Sequence, residues 1–96
     1  MPSYGSQRAV REQEASKLTI SGVDINGKPF QEESNTIDIS EDGISFYLKT
    51  TVWMDAHFTI EIRSSNLLGP KSVLKAKVVR FGKEVDGRRF IGARFD

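Results

Sequence analysis

The chain has no cysteine, one histidine and three prolines among its 96 residues. Without cysteine there is no disulfide, no zinc knuckle, no iron–sulfur cluster and no thiol nucleophile, which fits a reducing compartment. A single histidine, His57, leaves a transition-metal site short of donors. A catalytic triad built on it would have to draw on Asp55 and Thr59, the only such groups near it in sequence, and a surface position at a strand edge is expected instead. No apolar run approaches the roughly 20 residues that a membrane-spanning helix needs. Residues 1–17 carry no apolar stretch of the kind a secretory signal requires, so a cytoplasmic protein with no membrane insertion is expected. Phosphate-binding glycine loops, G-x-x-x-x-G-K-[ST] or G-x-G-x-x-G after a strand, are missing too. The acidic pairs Glu32-Glu33 and Glu41-Asp42 read as turn-like and solvated, with nothing local to desolvate a carboxylate for acid–base work. A non-enzymatic role is expected.

What is present describes one small domain. Apolar residues make up 38% and charged residues 28%, a ratio that supports a modest core and argues against global disorder. The net charge of +1 argues against a general binder of nucleic-acid polymers while leaving a small anionic ligand open. That total is a cancellation. Acids dominate from Glu12 to Asp42, where only Lys17 and Lys28 oppose them, and bases dominate from Lys71 onward. The basic third also holds Phe81 and Phe90, a pattern single-stranded nucleic acid can use, although charges on outward strand positions are ordinarily a solvated face.

Residues 1–16 are polar and read as a flexible arm whose concentrated chemistry is Arg8 and Arg11. From residue 17 the pattern has period two. Leu18 and Ile20 share one face, and Asn26-Gly27 suits a type I′ hairpin turn before a return strand at Pro29 and Phe30. A further strand runs from Thr36, with Ile37 and Ile39 on one face and Asp38 and Ser40 on the other. Then come Ile44, Phe46 and Leu48; Phe58, Ile60 and Ile62; Leu74, Ala76 and Val78; and, after a turn at Asp86-Gly87, Ile91, Ala93 and Phe95. Ser64 to Lys71 reads as a loop. Roughly six antiparallel strands with regular turns imply an all-β barrel over residues 17–96, closed because so few strands would otherwise expose edges. Trp53, Met54 and Tyr47 are expected to plug the barrel or pack on its rim, with an apolar partner surface as the other use.

One constellation stands out. Asp38, Ser40 and Gly43 spell D-x-S-x-x-G, with Asp38 and Ser40 on one face and Gly43 allowing positive φ or close backbone approach. The same letters also make a good strand-to-turn sequence, Asp and Ser bonding nearby backbone N–H groups.

The Arg-bearing arm, the first strand at Leu18 to Gly22, the Asn-Gly hairpin, D-I-S-E-D-G-I-S from Asp38 to Ser45 and the closing G-A-R-F together resemble the PilZ domain, over about residues 7 to 96. That family pairs an R-x-x-x-R arm with a [D/N]-x-S-x-x-G turn. Arg11 matches the second arm arginine, Gln7 stands where the first is usual, and Arg8 follows it as the second of a consecutive arginine pair. The family often adds a C-terminal helix; this chain stops at Asp96, so no helix or a minimal one is expected. The resemblance implies a split-barrel fold and a receptor or adaptor for cyclic di-GMP, bound through Arg8, Arg11, Asp38, Ser40 and Gly43, with no cofactor and no metal. Binding would order the arm and alter contact with a partner protein or neighbouring domain. The other reading is a degenerate PilZ-like barrel that has lost the nucleotide and serves as a protein-interaction module.

Overall fold

The computed structural model describes residues 16–63 and 71–96. They form six antiparallel strands and no helix: β1 (Lys17–Val23), β2 (Pro29–Ile39), β3 (Gly43–Leu48), β4 (His57–Arg63), β5 (Lys71–Val85) and β6 (Arg88–Phe95). The strands close into a barrel in the order β1-β2-β3-β6-β5-β4, with β4 pairing back onto β1. Closure removes the open edges that a six-stranded sheet would present.

Period-two alternation drives this arrangement. Leu18 and Ile20 of β1, Ile44, Phe46 and Leu48 of β3, Phe58 and Ile60 of β4, Ala76 and Val78 of β5, and Ile91 and Ala93 of β6 all point inward and are buried. Each large side chain removed from water stabilises the fold by about 1.5–3 kcal/mol. Phe58 sits at the centre, edge-to-face with Phe30 at 5.8 Å and tilted against Phe46 at 6.4 Å. Val52, from the β3–β4 connection, caps this core.

The segments expected as separate strands at Pro29 and Thr36 are one 11-residue strand, β2. Its first half pairs with β1, from Pro29 opposite Val23 to Asn35 opposite Lys17. Its second half pairs with β3, and a β-bulge between Thr36 and Asp38 inserts Ile37 as an extra residue. Bulges bend and twist a strand, and β2 stays paired with β3 to its last residue. Ile37, the extra residue, is 44% exposed, and Ile39, paired with Ile44 at the last position of β2, is 50% exposed, so neither joins the core as alternation alone predicts.

Strand β5 does the same over a greater length. It pairs with β4 from Lys71 to Lys77, then with β6 from Ala76 to Val85, with register shifts after Val78 and after Phe81. The turns divide differently from expectation. At Asp86-Gly87 both residues have positive φ (55° and 79°), as a two-residue type I′ hairpin demands. Between β1 and β2 only Gly27 does (φ 81°), so the loop is Ile25-Asn26-Gly27. Asp24 organises it: Oδ1 accepts the N–H groups of Asn26 and Lys28 at 2.8 and 2.9 Å.

Candidate functional site

Alternation puts Ser45 and Gly92 on the outer wall, because their neighbours Ile44 and Phe46, and Ile91 and Ala93, face the core. Arg80 joins them because the register shift between Val78 and Arg80 breaks the alternation that would otherwise set it on the inward face of Val78. The register then aligns four residues across four strands. Asp38 of β2 lies opposite Ser45, Ser45 opposite Gly92, and Gly92 opposite Arg80 of β5. A carboxylate and a guanidinium thus stand at the two ends of a row whose middle has almost no side chain, separated by three strand spacings of about 4.8 Å each. The bulge at Ile37 is what brings Asp38, not Ile37, opposite Ser45.

The turn after Asp38 is built by Ser40. Its Oγ accepts the N–H groups of Asp42 and Gly43 at 3.2 and 3.3 Å, and its own N–H donates to the Gly43 carbonyl at 2.9 Å. Ser40 therefore performs the backbone-bonding role that a strand-to-turn sequence predicts, while its hydroxyl proton stays free to donate. Gly43 is needed for close approach: a Cβ there would collide with the carbonyl oxygen of Ala93. Positive φ is not the reason, since Gly43 lies outside that region. Asp38 makes no hydrogen bond or ion pair among the described residues and is exposed to solvent.

These residues enclose a shallow hollow of about 330 Å³, lined by Asp38, Ser40, Gly43, Ser45, Arg80 and Gly92. Arg80 reaches across Gly92, where an added Cβ would come within 3.5 Å of its Cβ and Nε. Its guanidinium carbon stands 5.4 Å from the centroid of the Phe90 ring, and Phe90 in turn meets Tyr47 edge-on at 5.9 Å. One side of the hollow is therefore an aromatic shelf topped by a cation. Tyr47 belongs to this outer shelf, not to the barrel interior. Arg80 was visible in sequence only as one base in a basic third; the signal for its role is cross-strand register, which a linear reading does not supply.

Arg8, Arg11 and the departing position Gln7 lie outside the described residues. The root of that segment does not. Ser16 bonds to β2 twice through backbone N–H groups: Ser16 N–H donates to Thr36 Oγ1 at 2.8 Å, and Thr36 N–H donates to the Ser16 carbonyl at 3.0 Å. Thr36 is two residues from Asp38.

Other sequence expectations fall elsewhere. His57 opens β4, exposed, with Nδ1 3.6 Å from Asp96 Oδ2, and is not joined to Asp55. Glu32 is not in a solvated turn: it lies inside β2, half-buried, and its carboxylate accepts from Lys49, Thr50 N–H and Thr50 Oγ1. Trp53 does not plug the barrel. It is 65% exposed, with Met54 at 46%, beside a second hollow of about 450 Å³ at the far barrel end that Ile25, Leu48, Phe81 and Ile91 help to line.

Among the described residues no cluster of three His, Cys, Asp or Glu side chains could hold a metal ion, and no helix is long and apolar enough to cross a membrane. No family model, curated protein or solved structure matches the chain.

Proposed function

We propose that this protein is a receptor or adaptor domain that binds cyclic di-GMP on the outer wall between β2 and β5. The observation carrying this reading is the shared location of three elements: the D-x-S-x-x-G residues, the Arg80 guanidinium, and the root of the arginine-bearing segment at Ser16, tied two residues from Asp38. A guanine edge offers N1–H and N2–H₂ donors, which the Asp38 carboxylate, without a partner among the described residues, accepts. Its O6 and N7 take paired bonds from a guanidinium, and its face stacks on one. Arg8 and Arg11 supply the remaining positive charge for the two phosphates and bridge the ligand to their own segment. Binding then changes what that segment presents to a partner protein. No catalytic step is part of the proposal, and the proposed setting is the cytoplasm.

Titration of cyclic di-GMP into isotopically labelled protein tests it. Saturable shifts at Arg8, Arg11, Asp38, Ser40 and Arg80 are expected; a spectrum unmoved at near-millimolar ligand sinks the reading.

The second reading, a barrel that has lost the nucleotide and works through protein contact, is favoured by Gln7 at the arginine position and by the exposed Trp53 and Met54. Binding seen only in Gln7→Arg would select it.

A further inference from the structure

The next outward row along the same wall holds charges that the nucleotide reading leaves unused. Gly43 lies opposite Arg94, and Arg94 lies opposite Lys77. Ala93, Ala76 and Val78 are buried on the inner face, so Arg94 and Lys77 stand side by side on the outer one. Directly opposed residues of an antiparallel pair have Cα atoms about 5 Å apart, and like charges so placed repel. Neither side chain has a carboxylate partner among the described residues, whose ion pairs are His57–Asp96, Arg63–Glu61, Lys71–Glu61 and Arg89–Glu84. Asp96, two residues beyond Arg94 of β6, is paired with His57 on the far side of Lys77. Arg80 adds a third cation one outward step away, opposite Gly92. Sheets ordinarily set opposite charges across from each other. This one sets three cations around Gly43 and Gly92, with the Arg80 side chain lying over Gly92.

We infer that Lys77 and Arg94, with Arg80 above them, are an anion seat for the phosphate of a nucleotide phosphodiester. The identity of the nucleotide rests on the function proposed above; the seat itself does not. A phosphate between an ammonium and a guanidinium converts their repulsion into two attractions. The guanidinium fork fits two phosphate oxygens at once, and the ammonium acts as a point charge. Asp38 and Ser40 at the other end of the face then read the base, while this row holds the diester.

Lys77→Glu is the decisive variant, because it turns the like-charged pair into an opposite one. The unliganded variant is expected to melt at the same temperature as the parent or higher, which excludes misfolding as a cause. Its affinity for cyclic di-GMP is expected to fall by about tenfold or more. Inorganic pyrophosphate serves as a second probe and should shift the Lys77 and Arg94 amides of the parent but not of the variant. A variant that binds cyclic di-GMP as tightly as the parent overturns the seat and leaves the nucleotide reading standing. Pyrophosphate shifts at Lys77 and Arg94 in a protein that ignores cyclic di-GMP uphold the seat and overturn the nucleotide reading. Pyrophosphate that moves neither amide in the parent overturns the seat.

Discussion

Glu32 holds Thr50 by two bonds: its Oε1 accepts the Thr50 N–H at 3.1 Å and the Thr50 hydroxyl at 2.7 Å, while Oε2 takes the Lys49 N–H at 2.7 Å. The position of this clamp explains its use. β2 and β3 share ladder pairs only from Thr36 to Ile39, so the first half of β2 and the end of β3 diverge. Side chains close the gap, since Ser34 Oγ also donates to the Tyr47 carbonyl at 2.8 Å. Glu32→Ala should therefore cost about 1.5–3 kcal/mol, the range for hydrogen bonds to a charged group. Urea denaturation checks this, with an unchanged midpoint counting against the clamp.

Asp38 and Ser40 should separate in their effects. Asp38 has no partner among the described residues, so Asp38→Ala is expected to leave stability within about 0.5 kcal/mol of the parent. Its effect should appear in cyclic di-GMP affinity, as a loss of about tenfold or more. Ser40 caps two N–H groups, so Ser40→Ala should lower stability by about 1 kcal/mol before any ligand is added. Calorimetric titration beside thermal melts of both variants makes the comparison.

Gly43→Ala sets a methyl against the Ala93 carbonyl, and backbone must move to admit it. A cost of about 1–3 kcal/mol is expected, as for other overpacked positions. Amide shifts should spread to Ala93 and Arg94 on β6. Loss confined to residues 40–43 would contradict the close approach.

Gly82 carries the aromatic shelf. A Cβ there would meet Phe90 Cδ1 at 2.8 Å and its Cβ at 2.9 Å. Gly82→Ala should push Phe90 away from Tyr47 and from Arg80, and the Tyr47 ring resonances report this directly. Unchanged Tyr47 shifts would show that the ring can yield without disturbing its neighbours.

Much of this molecule was legible in its alternation. The inward sets on β1, β3, β4, β5 and β6 follow from period two, and closure follows from the shortage of strands to cover edges. Ile37 escaped because a bulge breaks the very periodicity being counted and leaves no mark in composition. Ile39 keeps its pairing with Ile44 but stands at the last residue of β2, where little covers it. Asn26-Gly27 and Asp86-Gly87 look alike as letters, yet only the second is type I′. Asp24, two residues upstream, offers the first a competing set of side-chain bonds. Trp53 was expected to plug the barrel or pack on its rim; Val52 takes the cap and leaves Trp53 beside the second hollow, 65% exposed. At the site, Asp38, Ser40 and Gly43 are close in sequence and could be grouped by eye. Arg80, Arg94 and Lys77 join them only through strand register, which no local pattern encodes.

The hydrogen bonds between Ser16 and Thr36 have a consequence for concentration. Whatever Arg8 and Arg11 contact on this face, they reach from a fixed root, and linkers this short give effective concentrations around the millimolar range. A peptide carrying residues 1–15, added in trans at micromolar levels to a barrel that begins at Ser16, should therefore restore little of the parent's ligand affinity. What Ser16 and Thr36 fix is the point from which the preceding residues start.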